Sequence, residues 1–460
     1  MTDRSRLPAR SAGGSAGAVG PTGVAPGEVA EIVNARLRRR DGLFRISIGG
    51  GVITAVEKQE QEGAPAGAES RAGADGVGAE GPEPPIAAQA PISAASSRID
   101  AAGGLVTESF ANGHLHLCKV NTLDLLGDDA LKEYHAAGMG GAMTAIELAA
   151  AVKDRYQQDL LVPGIRRAVE RAITYGTHLI RAFADTDTRA RLEGVRAVMQ
   201  VRDEYRDRIT VEVVAFPQDG VLRDPGAADW VRRALEEGAD AVGGIPWIEL
   251  TDDDMRRHVD LMMDLAEEFD RPASMLVDDA GDPTLRTTEM LALATSRRGM
   301  EGRVTAQHAR AMALYPEPYR RRLFALLREA GIGVVSDPHT GPLHADIDGL
   351  RAAGIPVALG QDDIADAYYP FGRNNMLEVA FLAAHLLWKT TSPQLDTLCD
   401  MIGREAARVL GRDGHAVRVG APASLLVHAG SSLREVIAEH AAPRFVVFNG
   451  RAVAQEGSLI

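Results

Sequence analysis

Two histidines one residue apart, in the stretch Ser109–Lys119 "SFANGHLHLCK", are the sharpest chemical feature of the chain. In a strand, residues two apart point to the same side, so His114 and His116 can converge on one ion, with Asn112 on the same face. The second feature is "IPVALGQDDIADAYYPFGRNNML" (Ile355–Leu377), where Asp362 and Asp363 end an apolar segment. Adjacent aspartates ordinarily make a solvated turn or cap a helix. Here they close the last of a series of strands. In a closed barrel of eight strands the last neighbours the first, so Asp362 reaches the ion of His114 and His116 while Asp363 faces substrate. The chemistry implied is hydrolysis with one divalent ion. Such an ion lowers the pKa of water towards about 7, and Asp362 is placed to take the proton. Zinc is the first candidate; iron, manganese and cobalt accept the same donors.

The elements that must position these residues repeat along the middle of the chain. Apolar, β-branched segments alternate with amphipathic helical ones, which predicts a parallel sheet. Strands are expected at Leu105–Asn112, Thr177–Phe183, Thr210–Phe216, Ala239–Ile245, Ala273–Asp278, Arg303–His308, Gly331–Asp337 and Pro356–Asp362. That series is the (β/α)8 TIM barrel, whose chemistry sits at the C-terminal strand ends. Helices are expected between them, among them Gly164–Tyr175, Asp253–Phe269 and Thr287–Ser296. At the chain ends the pattern changes to short strands and glycine turns. Phe44, Ile46 and Ile48 alternate before Gly49-Gly50-Gly51, and Val417–Gly430 and Pro443–Ala454 repeat the style. The expected plan is a barrel at 105–404 and a small β-sandwich-like domain assembled from 28–104 and 405–460. Residues 1–27 are expected to be disordered, and the Ala, Gly, Glu and Pro-rich 59–97 to form a mobile insertion.

Composition excludes other classes. The 460 residues are 45% hydrophobic and 25% charged, enough for a barrel with an accessory domain. A net charge of −14 with no basic cluster beyond Arg36 and Arg38–Arg40 argues against nucleic acid as partner. No apolar run is long enough to span a membrane, and the first residues lack the apolar core of a signal peptide. Two cysteines, Cys118 and Cys399, make no disulfide framework and suit a reducing cytoplasm. The expected partner is a small molecule, with a homo-oligomer as the default assembly.

Four further segments carry a resemblance. "VEVVAFPQDG" (Val211–Gly220), "GADAVGGIPWIEL" (Gly238–Leu250), "RVTAQHARAM" (Arg303–Met312) and the stretch from Gly360 to Leu386 look, in this order, like the cytosine deaminases of the amidohydrolase superfamily. The resemblance covers about residues 105–400. It implies that Gln218 holds a ring amide of the substrate, that His308 positions the attacking water and polarises the substrate, and that Asp363 contacts the leaving group.

Departures from the family pattern shape the expected substrate. In "SMLVDDAG", Leu276 stands where those deaminases place a metal-binding histidine. Asp279 stands where they place a proton-shuttling glutamate. In "IRAFAD", Phe183 replaces the histidine of strand two. The loop "DPHTGPLHAD" brings His339 and His344; one of these, His308, Asn112 or water is expected to fill the place that Leu276 leaves. Phe183 and Leu276 together suggest an apolar wall, and Arg181, a cation near a barrel strand end, is expected to stabilise an oxyanion with His308. Departing amine would take its proton from Asp279 or Asp362. The chain thereby resembles in kind the phenylurea hydrolases and the thiocarbamate (molinate) hydrolase, enzymes that cut ureas and carbamates with apolar groups. Deamination of cytosine or a related pyrimidine or triazine ring is the alternative.

Overall fold

A computed structural model describes residues 27–60, 97–125, 132, 150 and 152–460. The expected disorder of residues 1–27 and the insertion of 59–97 lie, apart from their edges, outside the described residues. Five strands come from the N-terminal part: β1 (Glu31–Leu37), β2 (Phe44–Gly49), β3 (Val52–Lys58), β4 (Arg98–Asp100) and β5 (Leu105–Glu108). They join four from the far end, β14 (Leu425–Val427), β15 (Phe445–Phe448), β16 (Arg451–Gln455) and β17 (Ser458–Leu459), in one nine-stranded sheet. Alternation in β2 puts Phe44, Ile46 and Ile48 inside with Leu425, Val427, Phe445 and Val447 from the other chain end, so the two termini share one core. β1 can serve both arms because it bulges between Ile32 and Ala35. Its residues from Glu31 to Ala35 pair with β2, the first three of them also with β4, and its last two residues pair with β5.

The other sheet is parallel throughout: β6 (Phe110–Leu115), β7 (Thr177–Asp185), β8 (Thr210–Phe216), β9 (Ala241–Gly244), β10 (Ala273–Val277), β11 (Val304–His308), β12 (Gly333–Ser336) and β13 (Val357–Leu359) follow one another in order. Seven of the eight expected strands lie where the apolar pattern put them. The first does not. Leu105–Asn112 is two strands: β5 belongs to the end sheet, and only β6 enters the barrel. Ser109 makes the break, donating its N–H to the Ser424 carbonyl at 3.0 Å. An unbroken apolar run cannot reveal where a strand changes partners. The expected helices are present, including Gln158–Thr174, Asp252–Glu268 and Thr287–Arg298.

The barrel closes through the residues of chemical interest. Leu115 bridges Asp362 in parallel. The His116 N–H donates to the Asp362 carbonyl at 2.9 Å, and the N–H groups of Gln361 and Asp362 donate to the His114 carbonyl at 3.0 and 2.9 Å. Asn112 spans the same seam, its Oδ1 accepting from the N–H of His114 and of Gln361. Gly360 permits this approach: a Cβ there would lie 2.3 Å from Asp337 Oδ1 and 2.7 Å from His114 Cβ.

Candidate metal and active site

Four side chains meet at the C-terminal end of the barrel. Asp362 Oδ1 lies 3.4 Å from His114 Nε2, 3.9 Å from His116 Nε2 and 3.7 Å from His308 Nε2. All four are buried, with ligand atoms within 4.8 Å of one another. His114, His116 and Asp362 converge as their spacing implies. His308 joins them, at the end of β11, as a fourth possible ligand. His308 and Asp362 both adopt left-handed backbone, at φ 63° and 69°. That conformation is costly for residues with a Cβ and turns each side chain from its strand towards the barrel axis.

Several observations fit a metal ion here. His114 Nδ1 lies 3.1 Å from Gln307 Oε1, and the Gln307 amide donates to Ser274 Oγ at 2.7 Å. The amide oxygen therefore faces His114, which carries its proton on Nδ1 and leaves Nε2 as a lone pair. That Nε2 is buried and has no hydrogen-bond partner. His308 Nδ1 lies 3.0 Å from Asp337 Oδ2, again leaving Nε2 for the cluster. Burial pushes the His308 pKa down, but the carboxylates of Asp279, Asp362 and Asp337 outweigh it and raise it to about 9. The position thus draws positive charge. Burial, then Lys119 and His114, hold His116 well below its ordinary value, so it stays neutral. Burial favours the neutral form of Asp362, yet His308, His114 and Arg310 keep it well below the carboxylate range. Three imidazoles and one carboxylate are a sound donor set for a divalent cation, with His308 giving up its proton when the cation binds.

The cluster opens into a cavity of about 40 Å³ lined by His116, Gln218, Ile245, Trp247, Leu276, Asp279, His308, Arg310, Asp362, Asp363 and Tyr368. Leu276 takes its expected place on that wall. Phe183 does not: it is fully buried behind the ligands, its ring 4.2 Å from that of His114 and 5.7 Å from that of His116, and it braces them. Arg181 also faces the barrel interior, but lower down. Its guanidinium pairs with Glu212 at 2.6 Å and donates to Thr305 Oγ1 and the Leu410 carbonyl, so it sits on the barrel floor away from the cavity. Asn112 has spent its side chain on the seam and on Asn374. His339 lies against the Gln361 carbonyl, and His344 against that of Ala345.

Sequence reasoning overlooked Arg310 and Lys119. Arg310 reaches Asp362 Oδ2 at 3.1 Å, Asp279 Oδ1 at 3.1 Å and Thr340 Oγ1 at 2.8 Å. The residue in the proton-shuttle position is therefore ion-paired. Lys119 follows His116 in a single helical turn, Leu117–Lys119, that folds it back over the barrel mouth. It donates to Gln218 Oε1 at 2.7 Å and lies 3.3 Å from Asp185 Oδ1. Each was signalled by a cation two or three residues after a ligand histidine, where a charge must be paired or face a cavity. Asp363 is buried, and burial together with Asp362 and Asp366 raises its pKa well above the carboxylate range, so it holds a proton.

Comparison with known proteins agrees with this geometry. Over 369 residues the chain is 29% identical to an N-isopropylammelide isopropyl amidohydrolase of Pseudomonas sp. (strain ADP), covering 79% of this chain and 89% of that one. A pterin deaminase of Rhizobium rhizogenes is 26% identical over 377 residues, 78% of this chain and 82% of that one. A 5-methylcytosine deaminase from Klebsiella pneumoniae, solved with 5-fluorocytosine, superposes with a TM-score of 0.76 at 28% identity, over 92% of this chain and 97% of that one. Residues 161–454 match the pattern described as "Amidohydrolase family". The chain belongs to the amidohydrolase family, hydrolases of carbon–nitrogen bonds built on a (β/α)8 barrel.

Proposed function

We propose that the chain removes an amino or alkylamino group from a small nitrogen heterocycle, using one divalent ion, zinc foremost, held by His114, His116, His308 and Asp362. The observation that carries this reading is the convergence of Gln218, Asp279, Arg310 and Asp363 with the ligand cluster on one small cavity. A flat polar ring offers hydrogen bonds to the Gln218 amide and the Asp363 carboxyl; a large apolar substituent offers them none, at about 1–3 kcal/mol each. The bound ion would supply acidified water and polarise the carbon under attack. The rest falls to the protein. Asp362 Oδ1 accepts the proton from the water. His308, kept in one tautomer by Asp337, would present its Nε2 to the ion. Asp363 gives its carboxyl proton to the departing nitrogen. Arg310 occupies Asp279, which leaves Asp363 as the better donor.

A second reading has its own support. Leu276, Ile245 and Trp247 give the cavity an apolar side, which suits the urea or carbamate with an apolar substituent expected from the sequence. Comparing kcat/KM for an N-alkylamino triazine, an aminopyrimidine, a phenylurea and a thiocarbamate on one preparation separates them. Faster release of amine from either open-chain substrate than from both rings would overturn the ring reading. Two buried free thiols, Cys118 and Cys399, support a reducing compartment. Among the described residues no helix is long and apolar enough to cross a membrane.

A further inference from the structure

Two loops supply part of the cavity wall: Gln218 comes from the loop after β8, and Ile245 and Trp247 from the loop after β9. One buried carboxylate joins them. Glu249 Oε1 accepts the N–H of Val221 at 2.7 Å and that of Leu222 at 3.1 Å, and its Oε2 accepts that of Arg223 at 3.0 Å. Three successive N–H groups converging on one carboxylate form an anion nest, filled here from within the chain. The Arg223 guanidinium returns the link, donating to the Ile248 carbonyl at 3.1 Å. Against Glu249 stands His258, fully buried on the helix Asp252–Glu268. Its Nε2 accepts the Ile245 N–H at 3.0 Å, so the ring is neutral, carries its proton on Nδ1 and donates to Glu249 Oε1 at 2.7 Å. Two glycines admit the pair. A Cβ on Gly220 would lie 2.8 Å from Glu249 Oε1, and one on Gly244 3.2 Å from His258 Nε2.

We propose that Glu249 and His258 are positioning residues, which lock the loops after β8 and β9 to one another and so fix where Gln218, Ile245 and Trp247 meet the substrate. Neither lines the cavity nor belongs to the four-residue cluster, so their effect passes through the walls they hold. The inference rests on the reading of this cavity as the substrate site. Loops ordered beforehand lose little freedom when the substrate arrives. Loops released from Glu249 have to be ordered by the substrate itself, at a cost in affinity. That cost falls on binding and leaves the chemistry at the cluster alone, which places the effect in KM and not in kcat.

The test combines hydrogen exchange and kinetics on the full-length, metal-loaded enzyme. Glu249→Gln leaves at least one of the three N–H groups without an acceptor, whichever way its amide turns. Exchange at residues 221–223 should quicken about tenfold, one hydrogen bond's worth. His258→Asn keeps a donor where Nδ1 stands but offers Ile245 no acceptor. The Ile245 amide should then quicken about tenfold while residues 221–223 stay protected. Elemental analysis should find wild-type metal in both variants. On the fastest of the four substrates compared above, each variant should raise KM about tenfold and keep kcat within about threefold of wild type. Quickened exchange with an unchanged KM would reduce the pair to scaffold and overturn the inference, as would unchanged exchange at those amides. His258→Asn decides the matter if Glu249→Gln fails to fold. A wild type that turns over none of the four substrates would overturn the proposed function instead, and exchange alone then decides whether the pair locks the loops.

Discussion

At the scale of single residues, the site differs from expectation mainly in the company its ligands keep. Replacing His114, His116, His308 or Asp362 by alanine should each release bound metal, measured by elemental analysis of the purified variant. Full occupancy with lost activity in His308→Ala would return His308 to a purely orienting role. The residues behind the ligands should matter too. Asp337→Asn or Gln307→Leu loosens a ring that must point one way, and roughly a 10–100-fold loss of metal affinity is expected. An unchanged affinity in both would show that the imidazoles are oriented by packing against Phe183 alone. Leu276→His places a further imidazole on the cavity wall and should tighten metal binding; weaker binding would mean that the side chain at the end of β10 points past the ion.

At the scale of elements, the barrel does two separate jobs at its two ends. The floor is an ion-paired plug in which Arg181 meets Glu212 and Glu212 also meets Arg412. Removing one partner of a buried pair costs about 3–5 kcal/mol, so Arg181→Met should lower the unfolding free energy by that order while kcat per folded molecule stays near wild type. A large loss of kcat with unchanged stability would place Arg181 back in the catalytic cavity. The seam between β6 and β13 is the other case. Gly360→Ala drives a methyl into Asp337 and His114, and should cost about 1–3 kcal/mol. Because the same atoms orient His308 and His114, metal affinity should fall with it. Loss of stability without loss of metal would mean that the seam yields on its Asp337 side.

At the scale of the whole molecule, buried neutral histidines set the acid limit of the fold. His428 lies in the end sheet, 3.1 Å from Thr107 Oγ1, and burial pushes its pKa down to about 3 from the ordinary 6.5. Burial lowers His178, His258 and His415 as well. A histidine whose folded pKa is depressed binds its proton more readily when unfolded. Its contribution is complete above about pH 6.5 and is lost as the pH falls towards 3. For His428 alone the loss at pH 5 is about 2 kcal/mol. Urea midpoints should fall steadily from pH 7 to pH 5, and His428→Gln should flatten that fall by one proton's share. An identical slope in the variant would show that His428 is already charged in the folded protein.

The architecture, and three of the four side chains that cluster at the barrel mouth, were legible in the residues alone. His-X-His sets two imidazoles on one face, aspartates after an apolar run set a carboxylate at a strand end, and the alternation of apolar runs with amphipathic helices points to a parallel barrel. These are local properties, read from periods of 2 and 3.6 residues. Tertiary structure decided what depends on height along the barrel and on which strand is neighbour to which. Alternation says that Arg181, Phe183 and Asp185 share a face, but not that the first lies on the floor, the second behind the ligands and the third beside Lys119. The stagger of neighbouring strands sets that height, and stagger leaves no trace in a single strand's residues. Likewise nothing local tells that His308 joins the cluster of His114, His116 and Asp362, that Arg310 claims Asp279, or that Leu105–Asn112 divides between two sheets. Those outcomes arise where separate segments meet, because a buried charge takes whichever opposite charge the closed barrel brings within reach.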